Sequence, residues 1–387
     1  NCIGEDAKIG YFLEVDLEYP AELHDKHNDY PLCAEKLVVT KNMVSNYTTK
    51  IAEELDIKQG KVPKLVPNLM NKEKYVLHGK CLKQALDLGL RLTKIHKVLK
   101  FKQKPWLKSY IDYNTEKRKM AKNDFEKDYY KLMNNSVFGK TMENKRDRIN
   151  VRLFTDEKKA NKWVSKPTFI SWKTFSEDLI ALHSINECVK LDKAIAVGVA
   201  ILEISKVHMY DFHYNFIKEK YGDRAELLFT DTDSLCYEMR TDDAFADMYD
   251  NREKWFDLSD MKNSKFHDLT NKKVLGMFKD EMSGIPIKEA VCLRSKMYSL
   301  LKPNGEEKKV AKGVNKCVKD NDLHHKLYKS VLQNESEMNH SMKNIRSYNH
   351  KIYTIDCYKR TLCAYDDKRY ILPDGIHTLA YGHYKIN

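Results

Sequence analysis

The sequence predicts an α+β fold, with a mixed sheet and helices packed as separate layers. Three observations lead there. Leu227-Leu228-Phe229 and Leu235-Cys236-Tyr237 are short apolar runs flanking Asp231-Thr232-Asp233, which reads as a β-hairpin with a tight acidic turn. Glu116 to Met133 and Val199 to Tyr221 contain no glycine or proline and place apolar and aromatic residues at helical intervals. No internal repeat or low-complexity tract interrupts this mixture. At 387 residues the chain is too long for one small core, so two or three subdomains are expected.

Taken in order, Gly10 to Leu17 alternates as a strand that Tyr19-Pro20 ends. Met43 to Leu55 has helical spacing, and Gln59 to Asn71, with two prolines, reads as a loop. Tyr75 to His78 is a short strand, and Leu82 to Leu88 a helix stopped by Gly89. Pro105 sits where a helix can start, with Trp106 to Tyr113 continuing it. The long helix from Glu116 follows, then strands joined by short loops from Asn150 to Ile180, then the second long helix. After the acidic hairpin come a helix near Phe245, strands around Val274 and Met297, a Pro303-Asn304-Gly305 turn and a mixed C-terminal region.

Lysine and arginine number 68 against 56 acids, a formal charge of +12, which favours a polyanionic partner, most commonly a phosphate backbone. From Arg91 to Lys108 seven cations occur with no acid, interleaved with Ile95, Leu99, Phe101 and Trp106. That stretch reads as a strand entering a helix, with one face packed and the other basic: a solvated face, or a groove that tracks a phosphate backbone. Nine cysteines without a Cys-x-x-Cys pair point to reduced, intracellular thiols, in nucleus or cytoplasm. No apolar run has the length of a membrane span, and no signal peptide opens the chain, which begins Asn1-Cys2.

Three constellations carry chemistry. Asp231 and Asp233, held close in a turn, repel each other unless a divalent cation lies beside them. A solvated turn, or the nucleotide-sugar metal site of a glycosyltransferase, would have the same three residues. Lys127, Lys131 and Asn135 recur at i, i+4 on one helix face, with Lys119 two turns further back on roughly the same side. A row of amines suits a triphosphate, although Asp124, Glu126 and Asp128 offer these lysines local partners. Asn135-Ser136 beside Gly139 puts small groups at a helix end where a base pair can approach. Finally, Arg294, Lys296 and Tyr298 fall on one side of a strand at period two, as a nucleic-acid contact or a polar outer face. His24 and His27, spaced by Asp25-Lys26, read as solvated loop residues rather than metal ligands.

In this order and spacing the pieces resemble a family B DNA polymerase of the protein-primed type, as carried by self-synthesising DNA transposons and related viruses. Lys131-x-x-x-Asn135-Ser136-x-Phe138-Gly139 resembles motif B of the fingers, with Phe138 where tyrosine is usual. Thr230-Asp231-Thr232-Asp233-Ser234 resembles motif C of the palm, and Lys296-Met297-Tyr298 the Lys-x-Tyr motif that holds the primer strand. The glycosyltransferase reading explains only the acidic turn and falls away. A reverse transcriptase-like polymerase generally has two adjacent aspartates in the palm turn, which Asp231-Thr232-Asp233 does not match.

The resemblance implies a right-hand architecture: palm strands with an inserted subdomain over residues 1–104, fingers-like helices with intervening strands over 105–221, palm over 222–302, and a thumb-like region over 303–387. It implies DNA-directed DNA synthesis on primer-template DNA from dNTPs, by two-metal phosphoryl transfer with Mg2+, or Mn2+ as a substitute. Asp231 and Asp233 would serve as catalytic metal ligands, and Lys119, Lys127, Lys131 and Asn135 as dNTP contacts. Ser136, Gly139, Arg294, Lys296 and Tyr298 would contact DNA. A protein primer is a further implied partner. The family's motif A aspartate has no clean counterpart. Aligning Tyr19-Pro20 puts Glu14 in its slot, and Asp16 leaves the spacing two residues short. The expectation is therefore a carboxyl-terminal polymerase portion, with that aspartate and an exonuclease upstream, weak in primer-template binding and catalysing little alone. The other expectation is a transposon-derived remnant that binds nucleic acid without chemistry.

Overall fold

The computed structural model describes residues 7–58, 60–348 and 350–386, so the Asn1-Cys2 start lies outside the described residues. The chain divides into two compact units: Asn1–Trp106, Leu202–Met342 and Tyr358–Asn387 form one, and Leu107–Ile201 with Lys343–Cys357 form the other. Elements of both classes alternate, so the α+β expectation holds. The predicted mixed sheet is instead several small sheets, and each strand pairing with a defined register is antiparallel.

The first unit opens with β1 (Ile9–Glu18), the middle strand of a three-stranded sheet. Its neighbours are β2 (Lys72–His78) and β3 (Arg91–Lys102), and α1 (Gly79–Asp87) links them. Val15, Leu17 and Tyr19 alternate inward and are buried with Leu77, Leu82 and Ala85. Gly89 ends the connection with φ +106°, a conformation glycine adopts without strain. The predicted loop before β2 contains a short strand, Lys64–Val66, paired with Glu35–Leu37. The basic stretch departs from expectation. β3 is an edge strand exposed along nearly its whole length, and Ile95, Leu99 and Trp106 are exposed rather than packed. Of its apolar residues, Phe101 is the one that turns inward, against Phe12 and His78.

The second unit starts with α2 (Lys108–Met120) and α3 (Asp124–Thr141). The single long helix predicted from Glu116 is interrupted. Asn123 caps α3 by accepting from the Glu126 backbone N–H at 2.8 Å, and the Glu126 carboxylate reaches back to the Lys122 N–H at 2.9 Å. This reciprocal capping satisfies N–H groups at the new helix start and competes with continuation. Lys119 therefore sits on the last turn of α2 and does not extend the lysine row of α3. Beyond follow β4 (Asn150–Phe154), α4 (Glu157–Val164), β5 (Phe169–Ser176) and β6 (Leu179–Ser184). The strands order as β4-β6-β5, and Leu182 packs under Ala160 and Trp163 of α4, a helix where only strands and loops were expected.

α5 (Ile195–Phe212) runs back into the first unit and widens into a π-helical turn over His213–Ile217. It leads to the acidic hairpin, β7 (Ala225–Thr230) and β8 (Leu235–Met239). Phe212 and Phe216 there join Trp255, Phe256 and Leu258 in a buried cluster that supports Leu235, Tyr237 and Met239 of β8. No strand forms at Val274, where Lys273 (φ +56°) and Gly276 (φ +86°) turn the chain. Next come β9 (Glu289–Arg294), β10 (Met297–Leu301) and β11 (Glu307–Ala311), then α6 (His325–Gln333) and the long paired strands β12 (Glu337–Tyr348) and β13 (Lys351–Cys363).

The closing segment knits onto the beginning of the same unit. The Asn28 side chain donates to Thr378 O (3.1 Å) and accepts from Ala380 N (2.8 Å), and Leu69 N donates to Tyr381 O at 2.7 Å. Tyr384 and Lys385 both bond Asp25 at 2.6 Å. This closure covers His24, whose Nδ1 accepts from Tyr384 N at 3.0 Å, while His27 is buried against Tyr19 and Tyr214; the sequence reading placed both in solvent. No helix among the described residues is long and apolar enough to cross a membrane.

Candidate active site

Four residues join β7 to β8. Asp231 N donates to Ser234 O (3.0 Å), while Asp231 O accepts from Asp233 N (2.7 Å) and Ser234 N (3.3 Å). These bonds close a tight turn in which Thr232 is left-handed at φ +60°. A β-branched residue rarely takes that conformation, and such strain is concentrated where a site needs a fixed backbone. Two carboxylates thus project from a rigid turn.

A second turn meets the first. Ser295-Lys296 connects β9 to β10, with Arg294 opposite Met297 and Lys296 at φ +58°. Arg294, Lys296 and Tyr298 accordingly do not share one strand face. Arg294 ends β9, Lys296 is the turn itself, and Tyr298 lies on β10. The turn was illegible as a turn because lysine occupies the position where glycine or asparagine signals one. Its consequence is an ion pair: Lys296 Nζ lies 2.9 Å from Asp231 Oδ1. The two hairpins are held together beneath this pair by buried Cys236, Met282 and Leu300, with Phe229 and Tyr298 stacked at 4.3 Å between centroids. Burial, and then the Asp231 charge, push the Tyr298 phenol up to about 12, so it remains a hydrogen-bond donor at neutral pH. Neither Phe229 nor the Lys296–Asp231 contact was anticipated from the sequence.

Two hard carboxylates suit magnesium, which is commonly bound by one or two carboxylates together with substrate phosphates and water. The Lys296 ammonium on Asp231 already marks this turn as a place for positive charge. No group of three or more His, Cys, Asp or Glu that could hold a metal ion occurs among the described residues, so Glu14 and Asp16 do not complete a cluster with Asp231 and Asp233. Both have other partners. Glu14 lies 3.1 Å from Lys97 Nζ, and Asp16 2.7 Å from His96 Nε2. The Lys74 N–H donating to Asp16, with His96 beside it, holds that carboxyl below its usual range. Asp16 sits where the register of β1 shifts against both neighbours, so it clamps the irregular stretch of the sheet.

The remaining candidates belong to the second unit. Lys127 pairs with Asp124 at 2.8 Å and Lys119 with Glu116 at 3.1 Å, the local pairing the sequence foresaw for Lys127. Lys131 is exposed and has no carboxylate partner among the described residues, and Asn135 follows one turn on, also exposed. Ser136 bonds back to Met133 O at 3.1 Å. Gly139 lies in the last turn of α3, with open space where a Cβ would stand.

No protein-family model matches the chain, and no curated protein sequence matches it. Among solved structures, phi29 DNA polymerase complexed with primer-template DNA and incoming nucleotide substrates is similar, with TM-score 0.52 and 15% identity, over 94% of this chain and 52% of that chain. The same polymerase in a post-translocation binary complex with primer-template DNA gives TM-score 0.47 at 14% identity. This chain thus spans about half the length of that polymerase, 52%. At such identity the likeness establishes the fold: the chain has a fold like that of phi29 DNA polymerase, which agrees with the family resemblance read from the three motifs.

Proposed function

We propose that this chain is the polymerase portion of a DNA-directed DNA polymerase with a right-hand organisation, binding primer-template DNA and dNTPs. The observation that carries the reading is the meeting of the two turns, where the Asp231–Lys296 pair sits on the Phe229–Tyr298 stack. An acidic turn suited to metal and a cation-phenol turn suited to a primer end belong at one place in such an enzyme. Asp231 and Asp233 would hold magnesium, which supplies charge neutralisation and activation of the primer hydroxyl in phosphoryl transfer. Lys296 would neutralise a primer phosphate, and Tyr298 would donate its hydroxyl beside the terminal nucleotide. Lys131, as the unpaired cation of α3, would take the triphosphate, with Lys127 released from Asp124 to assist. Asn135, Ser136 and Gly139 leave room for a nascent base pair. The further carboxylate that two-metal chemistry requires would come from outside the described residues.

The test is binding of a recessed-3′ primer-template against a blunt duplex, read by fluorescence anisotropy. Preference for the recessed end is expected, and Tyr298→Ala should erase it; equal binding of both duplexes would sink the proposal. Extension with magnesium and four dNTPs, where observed, must vanish in Asp233→Asn. A nucleic-acid-binding remnant without chemistry would keep the recessed-end preference and show no extension with magnesium or manganese even when a segment supplying the further carboxylate is added. Lys131→Ala is expected to weaken dNTP binding about tenfold, the worth of one charged hydrogen bond, with duplex affinity unchanged. An unaltered nucleotide affinity would remove Lys131 from the site.

A further inference from the structure

We propose that Lys296 is an exchangeable counter-ion: it neutralises Asp231 until a divalent cation takes its place, and is then freed for a DNA phosphate, so that metal and DNA reinforce each other through one side chain. This rests on the reading of the acidic turn as a metal site.

The geometry separates a fixed backbone from a movable charge. The Lys296 carbonyl accepts from Lys312 N at 3.0 Å, which pins the turn to the residue just after β11. The stack of Tyr298 on Phe229 fixes β10 against β7. Asp231 is held by its own turn bonds. The Lys296 side chain, by contrast, is 45% exposed and reaches Asp231 from solvent on four flexible methylenes. Exchange therefore needs only rotamer changes of one lysine. Asp233 adds a second carboxylate to the turn, so a single ammonium leaves it with net negative charge.

A divalent ion and an ammonium drawn to the same carboxylate repel each other, so each weakens the other's hold on it. In the absence of DNA, Lys296 competes with metal for Asp231. A phosphate drawn to Lys296 removes the competitor. By thermodynamic reciprocity, metal must then strengthen DNA binding by the same factor. The lysine thus makes metal loading conditional on primer-template, which keeps the site from filling before there is a strand to extend.

The experiment measures Mn2+ affinity of the full chain by electron paramagnetic resonance, without nucleotide, with and without a primer-template duplex. The proteins are wild type, Lys296→Met, Lys296→Arg and Asp233→Asn, with circular dichroism to verify folding and Lys296→Gln as a second neutral variant. Lys296→Met should bind Mn2+ about tenfold more tightly than wild type without DNA, a typical coupling factor, and gain nothing when DNA is added. Wild type and Lys296→Arg should start weak and gain that factor with DNA. Equal Mn2+ affinity in wild type and the neutral variants, with binding lost in Asp233→Asn, overturns the exchange while leaving the metal site intact. Mn2+ binding that is indifferent to Asp233→Asn overturns both.

Discussion

The first unit is expected to lose stability as pH falls from about 6.5 towards 4 and below, through two buried histidines. His27 is buried, with Nδ1 2.8 Å from the Tyr19 hydroxyl and its ring against Tyr214. His213, in the π-helical turn, bonds the Tyr237 hydroxyl of β8 at 2.9 Å. Burial, helped by Lys26, His213 and His24, lowers His27 to about 3. Burial, helped by Lys218 and opposed by Asp29, lowers His213 to about 4. Both are depressed below the ordinary 6.5, so the unfolded chain binds protons that the native chain refuses. Stability is complete above the unfolded value and falls with pH until the folded values are reached. Each group removes about 1.4 kcal/mol per pH unit. By pH 4 the pair removes on the order of 5 kcal/mol, comparable with the whole stability of many domains. Urea unfolding at stepped pH checks this. His27→Phe should flatten the slope by about one proton and His213→Phe by about another. An unchanged slope in the double variant would refute the assignment.

Phe212→Ala is expected to cost about 3–5 kcal/mol, because it empties the centre of an aromatic cluster. The ring lies 3.9 Å from Phe278 between centroids and touches Trp255, Phe256 and Phe216. Those rings support the apolar side of β8, so the cavity opens directly beneath the strand that follows the acidic turn. A fall of roughly 10 °C in the midpoint of thermal unfolding follows from that energy for a unit of this size. Phe125→Ala, in a ring 79% exposed on α3, is the control and should change stability by less than about 0.5 kcal/mol. Similar losses in both variants would contradict the account.

Much of the sheet around β1 and of the acidic hairpin was legible because local pattern and tertiary role coincide there. Leu227 to Phe229 and Leu235 to Tyr237 flank a turn whose polar residues leave little alternative; Leu227 and Cys236 are buried, Leu235 and Tyr237 half-buried, and Leu228 faces solvent. Gly89 ended α1 as its conformational freedom foretells. Where local and tertiary signals separate, the reading failed. The Asn123–Glu126 capping pattern was present in the sequence but was masked by the absence of glycine and proline, so two helices read as one. Asp156 likewise caps α4 by accepting from Lys159 N, yet the helix is short and its neighbours are strands. The exposure of Ile95 and Leu99 and the burial of His24 and His27 are set by which distant segments cover them. For the candidate site, the residue types of the acidic turn and the Lys-x-Tyr segment were readable. That Lys296 bends into a turn and grips Asp231 required the register of β9 on β10.

The bond between Asn28 and the Thr378 carbonyl joins residues 350 positions apart, and the second unit is threaded between them. On a ribosome, the residues around Tyr19 to Leu69 emerge long before Thr378 to Lys385 exist to cover them. Their buried histidines and tyrosines must wait, exposed, through most of translation. The Leu107–Ile201 part of the second unit, whose contacts are nearer in sequence, has time to fold early, while the first unit, whose closing residues come last, needs a large loop closure and folds late. Synthesis of this chain therefore depends on whatever shields that waiting surface, and slow folding with a demand for chaperones is built into its topology.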